Sequence, residues 1–186
     1  QVRRNSPCTS GPDGRIDARV SVREAPKFVH QDANQLIATW KNVIVCQFGN
    51  TPLTEDAARR QVAISTTQAL RFGPSQLFEI ALIDREPPMP TPGARAVLDL
   101  AVRSVGPYYL GVASVFEGVG FRAALVRGVL TSLAMLARTP FPQRVFASDA
   151  ECVTWSTGRL GATPADSADL SAIISMVRRT AVEQDI

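Results

Sequence analysis

Histidine, cysteine and lysine are scarce in this chain of 186 residues, and each shortage argues against a class of site. His30 is the only histidine and has no acid and nucleophile pair beside it, so we expect neither a histidine-based metal centre nor a catalytic triad. Cys8, Cys46 and Cys152 are odd in number and widely spaced, which excludes a disulfide framework and a paired-cysteine metal site. We predict that Cys46 and Cys152 are small buried hydrophobic residues in a reducing compartment.

A dense basic stripe and a long apolar run are also missing. Lys27 and Lys41 are the only lysines, and the arginines that produce the net charge of +3 are scattered along the chain. Nucleic-acid-binding surfaces concentrate such charges, so we expect no nucleic-acid partner. No apolar run reaches the roughly 20 residues of a membrane-spanning helix, because arginines interrupt the best candidate. We therefore predict a cytoplasmic protein without a transmembrane segment, and no signal peptide is evident.

What the chain does have is an alternation of two patterns between Leu36 and Gly161. Short runs rich in β-branched and aromatic residues alternate with longer helical patterns. This order predicts an α/β fold, with a mixed, mostly parallel sheet of four to six strands and helices packed on it. We predict an N-terminal arm or linker over residues 1–26, an α/β domain over residues 27–161, and an accessory C-terminal helix within residues 162–186.

The element boundaries follow from composition and from capping residues. Strands are predicted at Lys27–His30, Leu36–Trp40, Val43–Phe48, Leu77–Ile83, Tyr108–Phe116 and Arg144–Ala147. Helices are predicted from Thr54 to about Phe72, from Thr91 to Gly106, over roughly Gly120–Arg138, from Ser148 to Gly161, and over residues 167–182. Ser148 and Glu151 have the spacing of a capping box.

Acidic residues follow the predicted strand that ends at Ile83. Asp84 and Glu86 stand there, before a proline-rich loop that leads to Thr91. Ligands gather at the carboxyl ends of strands in α/β sheets, so the two acids could bind a cation or act as general acid and base; solvated acids are the commoner case. Thr91 is either a plain N-cap or a phosphoryl acceptor at a helix start. No glycine-rich phosphate loop accompanies these residues, and we expect no cofactor.

The predicted third helix has more apolar surface than one sheet face needs. From Phe121 it is apolar nearly all round, although Arg122 and Arg127 lie within it. The surplus could pack within the chain, form a protein–protein interface, or line a pocket for an apolar ligand. We take Phe121, Arg122, Arg127 and Leu133 as candidate interaction residues, together with the acids and threonine of the preceding loop.

The order of elements over about residues 28–161 resembles that of a STAS domain, the anti-sigma-factor-antagonist type that also occurs in bacterial proteins described as STAS/Sec14-like. Ile83-Asp84 stands at the usual strand end and Thr91-Pro92-Gly93 at the following helix start. In the phospho-switch members the aspartate is followed at once by Ser-Ser/Thr-Gly, whereas this chain has Arg85-Glu86-Pro87-Pro88. The resemblance implies a non-enzymatic module that docks partners or senses a ligand.

Three functions remain open on these grounds. The leading one is a non-catalytic protein-interaction or regulatory module or scaffold, or a subunit of a larger assembly, with a protein partner or a second copy of itself. The alternative is a carrier or sensor of a lipid-like or other apolar small molecule. The third is an enzyme that uses Asp84, Glu86 or Glu117, which would require two of these carboxylates to meet in a cleft.

Overall fold

A six-stranded mixed sheet forms the centre of the molecule. The computed structural model describes residues 22–83, 89–116, 139–184 and 186. The strands are β1 (Lys27–Gln31), β2 (Gln35–Trp40), β3 (Val43–Phe48), β4 (Leu77–Ile83), β5 (Tyr109–Phe116) and β6 (Gln143–Phe146). They lie side by side in that order: β1, β2 and β3 are antiparallel neighbours, and β3, β4, β5 and β6 are parallel neighbours. The prediction of a mixed sheet of four to six strands is confirmed.

Four helices and one 3₁₀ turn accompany the sheet in the described residues. They are α1 (Glu55–Phe72), α2 (Pro92–Ser104), the 3₁₀ turn Gly106–Tyr108, α3 (Asp149–Leu160) and α4 (Pro164–Glu183). Thr54 and Thr91 cap α1 and α2 as predicted, since each hydroxyl oxygen accepts a hydrogen bond from the backbone N–H three residues later. The predicted helix over roughly residues 120–138 lies outside the described residues.

The last helix begins earlier than its apolar pattern suggests. We predicted it over residues 167–182, but α4 starts at Pro164. Thr163 Oγ1 accepts from the backbone N–H of Asp166, and Asp166 Oδ2 accepts from the backbone N–H of Thr163 at 2.9 Å. This reciprocal pair is a capping box, and it holds the polar first turn in the helix before the apolar stripe begins.

The capping box predicted at the start of α3 forms only in part. Ser148 Oγ accepts from the backbone N–H of Glu151, as expected. The carboxylate of Glu151 accepts instead from the backbone N–H of Ala147, one residue before the cap, at 3.2 Å. Both bonds still satisfy free donors at the helix start, so α3 is capped by a related arrangement.

The two faces of the sheet are covered by different helix pairs, because alternate side chains of each strand point to opposite faces. One face packs against α3 and α4 and forms the larger apolar cluster, with Leu36, Val45, Ile80, Val115, Leu170, Ile173, Ile174 and Val177 each fully buried. The predicted apolar stripe of α4 is thus confirmed. Fully burying a side chain of this size contributes about 1.5–3 kcal/mol. The opposite face packs against α1 and the end of α2.

Ionic contacts hold the start of α4 against the rest of the molecule. Arg23 Nε lies 2.9 Å from Asp169 Oδ2, and Lys41 Nζ lies 2.8 Å from Asp166 Oδ1. The hydrogen bond from Lys41 is the largest cause of the lowered pKa of Asp166. The chain segment before β1 and the last helix are therefore in contact with each other, while the division into arm, domain and accessory helix stays a prediction.

None of the helices in the described ranges is both long enough and apolar enough to cross a bilayer.

Candidate functional site

A cavity of about 130 Å³ lies between the sheet and the helices α1 and α2. Its apolar wall includes Leu98 and Val102 from α2 and Phe141 from the segment before β6. Its polar wall is made by four side chains from α1, β4 and β5, namely Gln61, Ser65, Glu79 and Tyr109. Cavities that combine an apolar lining with a few convergent polar groups are the usual form of a small-molecule site.

The polar wall exists because α1 buries an unusual set of residues. Half of its buried residues are polar, and they are Gln61, Ser65 and Gln68. Their spacing of four and then three residues places them on the same face of a helix. The buried residues of α4 on the other face of the sheet are apolar except for Asp169. The interface between α1 and the sheet therefore combines an apolar cluster with a set of buried polar side chains.

Glu79 is the central group of this wall. It lies on β4, with Ile44 of β3 and Val112 of β5 as its neighbours across the sheet. Its residue surface is only 8% exposed. Gln61 Nε2 donates to Glu79 Oε1 at 2.9 Å, and the hydroxyl of Tyr109 lies 2.5 Å from Glu79 Oε2. A carboxyl at this depth is stable only because hydrogen bonds replace the water that it has lost.

The hydroxyl groups next to Glu79 form a short chain. The hydroxyl oxygen of Tyr109 also lies 3.1 Å from Ser65 Oγ. When Glu79 is ionised, Tyr109 donates to the carboxylate and Ser65 donates to Tyr109. When Glu79 is protonated, the carboxylic acid donates to Tyr109 and Tyr109 donates to Ser65. The network therefore keeps its hydrogen bonds in either protonation state of Glu79.

Burial decides which protonation state is favoured. Desolvation raises the pKa of Glu79, and the hydrogen bonds from Tyr109 and Gln61 oppose this effect without cancelling it. Desolvation, together with the nearby carboxylate, also raises the pKa of Tyr109 well above its usual value. Burial thereby shifts both groups towards their neutral forms.

The polar wall also contains an amide oxygen that accepts no hydrogen bond from the described residues. Among the described residues, Gln61 Oε1 is buried and has no hydrogen-bond partner. Gln68 Oε1, further along α1, is in the same condition. A buried acceptor left unpaired costs about 1–3 kcal/mol. Gln61 lines the cavity, but this oxygen itself is out of reach of a water-sized molecule.

The two cysteines in the described ranges are free and buried, as predicted. Cys46 Sγ faces Gln35 Oε1 at 3.8 Å, and Gln35 in turn donates to the backbone oxygen of Ala57 in α1. Desolvation raises the pKa of Cys46 well above its usual value and that of Cys152 to about 12. Both thiols stay protonated and unreactive in the folded chain. Cys8 lies outside the described residues.

Of the residues that we selected from the sequence, the structure describes Thr91. It is half-buried, and its Oγ1 accepts from the backbone N–H of Ala94 and donates to the backbone oxygen of Leu53, each at 3.2 Å. This geometry is that of an N-cap, and it does not test the alternative that Thr91 is a phosphoryl acceptor. The other candidates, which are Asp84, Glu86, Phe121, Arg122, Arg127 and Leu133, lie outside the described residues, as does Glu117.

Sequence reasoning missed the polar wall, although two signals for it are present. Glu79 interrupts the apolar strand sequence Leu-Phe-Glu-Ile-Ala-Leu, and an acid in the middle of a buried strand is unusual. Gln61 and Ser65 lie on the face of α1 where apolar residues are expected. In the described part of the chain, no three histidine, cysteine or acidic side chains are grouped so that they could hold a metal ion.

Comparison with known proteins does not assign this chain to a group. No protein-family model matches it. No curated protein and no solved structure is significantly similar to it.

Proposed function

We propose that this chain is a non-catalytic protein-interaction or regulatory module of the STAS-like kind, which binds a protein partner in the cytoplasm. The observation that carries the proposal is a groove of about 460 Å³ between α1 and α2. Val97 and Leu100 of α2 line it, and Leu100 is 64% exposed. Apolar surface that is exposed along a groove is typical of a docking site, because a partner that covers it removes that surface from water.

The shape of the groove favours an amphipathic helix as the occupant. Small, exposed residues from both helices line it, including Ala63 of α1 and Ala96 of α2, so a third helix can approach closely. Its rim carries the paired charges of Glu55 and Arg59, one of each sign. An apolar helix face in the groove with polar residues over this rim is a common mode of peptide recognition. The loop between Asp84 and Thr91 and the segment from Phe121 also stay predicted docking surfaces.

A pair of matched variants tests this proposal. The partner is first purified with the chain from the native source, identified by mass spectrometry and prepared as a pure protein. Its dissociation constant is then measured with the wild type, with Leu100→Asp and with Leu70→Asp. Leu70 is 73% exposed on α1 but is not among the residues that line the groove, so it controls for an exposed leucine replaced by aspartate.

Because a charge in the groove cannot be solvated in the complex, we expect Leu100→Asp to weaken binding at least about tenfold, or about 1.4 kcal/mol. Leu70→Asp should change it less than about twofold. Equal binding by all three proteins would contradict the groove as the docking site. A strictly monomeric chain that is recovered without any partner would contradict the proposed function.

A second candidate function, a carrier or sensor of a small apolar molecule, is supported by the cavity on the sheet side of the same two helices. Val62 of α1 and Ala101 of α2 line both the cavity and the groove. A ligand that fills the cavity would therefore touch the residues that shape the groove. The two candidate functions are compatible, since a sensor could report its ligand to a partner bound between α1 and α2.

A further inference from the structure

The helices on the two faces of the sheet bury very different side chains. Large apolar side chains of α4 are fully buried against one face, namely Leu170, Ile173, Ile174 and Val177. On the other face, the buried residues of α1 are three alanines and three polar residues, and the only buried residue of α2 is Ala94. Larger apolar side chains of these two helices, such as Val62 and Leu98, are half-buried. Because the hydrophobic effect scales with the apolar surface removed from water, it holds α1 and α2 on the sheet less strongly than α4.

Unpaired polar atoms weaken the interface between α1 and the sheet further. Gln61 Oε1 and Gln68 Oε1 are buried on α1 and have no hydrogen-bond partner among the described residues. Each of these atoms lost its water when α1 packed on the sheet, and it would regain water if α1 moved away. A helix with few buried apolar side chains and with unpaired polar atoms is the kind of element that opens locally while the rest of a protein stays folded.

Contacts between α1 and α2 join them into one layer. Ala57 and Ala58 of α1 pack in one apolar cluster with Ala94 of α2. Just before α2, the backbone N–H and the hydroxyl group of Thr91 both donate to the backbone oxygen of Leu53, which precedes α1. These contacts hold the two helices to each other rather than to the sheet. We therefore expect α1 and α2 to move away from the sheet together.

Glu79 makes the position of this layer depend on a proton. Its carboxyl group lies between β4 and α1, where it accepts a hydrogen bond from Gln61 and contacts the hydroxyl group of Tyr109. Ionised Glu79 is unfavourable there, because burial keeps water away from its charge. If α1 moved away, water would reach the carboxylate. Loss of the proton from Glu79 therefore favours the state in which α1 has left the sheet.

The other titratable groups that face Glu79 stay neutral. They are Tyr109 of β5 and Cys46 of β3, and the pKa of each is raised well above its ordinary value, mainly by burial. From α1, only the uncharged Gln61 and Ser65 face Glu79, and the part of α2 that lines the cavity is apolar. Among the described residues, the protonation of Glu79 is therefore the change in charge that acts on this interface.

We infer that α1 and α2 form a proton-controlled cover, which opens away from the sheet more readily when Glu79 is ionised, while α3 and α4 stay packed on the opposite face. The uncovered carboxyl group ionises near its ordinary pKa of 4.5, before the covered one. As the pH rises above that value, the open fraction increases by at most about tenfold per pH unit, until the covered carboxyl group ionises as well. The inference goes beyond both candidate functions and depends on neither.

Two free cysteines report on the two faces of the sheet separately. Cys46 lies under α1 in one apolar cluster with Ala69, whereas Cys152 lies in the cluster formed by the sheet, α3 and α4. The full chain with the substitution Cys8→Ser is labelled without urea at pH 5, 6, 7 and 8 by a pyridyl disulfide, which also reacts at acidic pH. Each buried thiol reacts slowly, because only molecules that have uncovered it can react. The ratio of the two labelling rates removes the effect of pH on thiol reactivity, since both thiols share that effect.

At pH 7 we expect Cys46 to react at least about tenfold faster than Cys152, because its cover opens without unfolding of the other face. The ratio of the two rates should rise from pH 5 towards the folded pKa of Glu79. In Glu79→Gln the ratio should stay constant, since the amide does not ionise. Glu183→Gln, which replaces an exposed glutamate at the end of α4, is the matched control and should keep the pH dependence of the wild type.

Amide hydrogen exchange of the wild type gives a second measurement that needs no variant. The amides of α1 should exchange with a lower free energy of opening than those of α4. Equal labelling of Cys46 and Cys152, or equal opening free energies for the two helices, would show that the chain opens only as a whole and would overturn the inference. A labelling ratio that is independent of pH in the wild type, or that changes equally in Glu79→Gln, would also overturn it. Partner binding at the groove is measured separately and is unaffected by these results.

Discussion

Replacement of Glu79 by glutamine should change how the stability of this protein depends on pH. The substitution removes a charge but keeps the shape and the hydrogen bonds of the buried network. The oxygen of the introduced amide can accept from Gln61, and its nitrogen can donate to Tyr109, which then donates to Ser65. Any difference between the two proteins that varies with pH therefore reports the ionisation of this one carboxyl group.

The sign follows from the direction of the pKa shift. Below its ordinary value of 4.5, Glu79 is protonated in both the folded and the unfolded chain. Above that value the unfolded chain loses the proton first, because burial raises the pKa in the folded state. The wild type is therefore destabilised as the pH rises from 4.5 to the folded pKa, by up to about 1.4 kcal/mol per pH unit. Glu79→Gln does not suffer this loss.

The other ionisable groups near Glu79 do not obscure the effect. Two titratable groups interact with Glu79, and they are Tyr109 of β5 and Cys46 of β3. The charge of Glu79 contributes to the pKa of each, and both pKa values are raised well above the ordinary ones. Both groups therefore stay protonated from mildly acidic to mildly alkaline pH. Gln61 and Ser65 of α1 carry no charge. All other ionisable groups are present in both the wild type and Glu79→Gln, so their contributions cancel in the difference between the two free energies of unfolding.

Urea unfolding at pH 5, 6, 7 and 8 measures the effect. The advantage of Glu79→Gln over the wild type should grow as the pH rises towards the folded pKa of Glu79, with unchanged m-values. Glu183→Gln, which replaces an exposed glutamate at the end of α4, serves as the matched control and should differ from the wild type by a constant amount. If the difference in unfolding free energy between Glu79→Gln and the wild type is also constant across this pH range, burial does not raise the pKa of Glu79.

Two further predictions concern residues selected from the sequence. Thr91→Ala should lower the free energy of unfolding by about 1 kcal/mol through loss of the N-cap of α2, whereas Thr67→Ala, at an exposed interior position of α1, should cost less than about 0.5 kcal/mol in the same urea experiment. Equal losses would contradict the capping role. In a Cys8→Ser variant, Cys46 and Cys152 should resist a thiol reagent in the folded state and react with it in urea. The reason is that both are fully buried and neither forms a thiolate at neutral pH. Rapid labelling of either thiol without urea would contradict its burial.

Much of the fold could be predicted from the sequence because its signals are local. Strands such as Val43–Phe48 are short runs of β-branched and aromatic residues, and helices such as α1 begin at a capping residue and end at a glycine. The apolar stripe of α4 follows directly from the helical period. The main error, the late start assigned to α4, arose because its first turn is polar and is held by Thr163 and Asp166.

The candidate site could not be predicted in the same way, because its parts are far apart in the sequence. Gln61, Glu79 and Tyr109 come from a helix and two strands, and each has an ordinary interpretation when it is taken alone. Only the parallel arrangement of β4 and β5, with α1 packed over them, brings their side chains within hydrogen-bond distance.

The amino-acid sequence by itself determined where strands and helices form, because hydrogen bonding and side-chain preference within a few residues are sufficient for that. The tertiary structure decided which side chains lose water together. That loss raises the pKa of Glu79 and buries the amide oxygen of Gln61, which has no hydrogen-bond partner among the described residues. Desolvation depends on everything that surrounds a group, and it therefore appears only once the chain is folded.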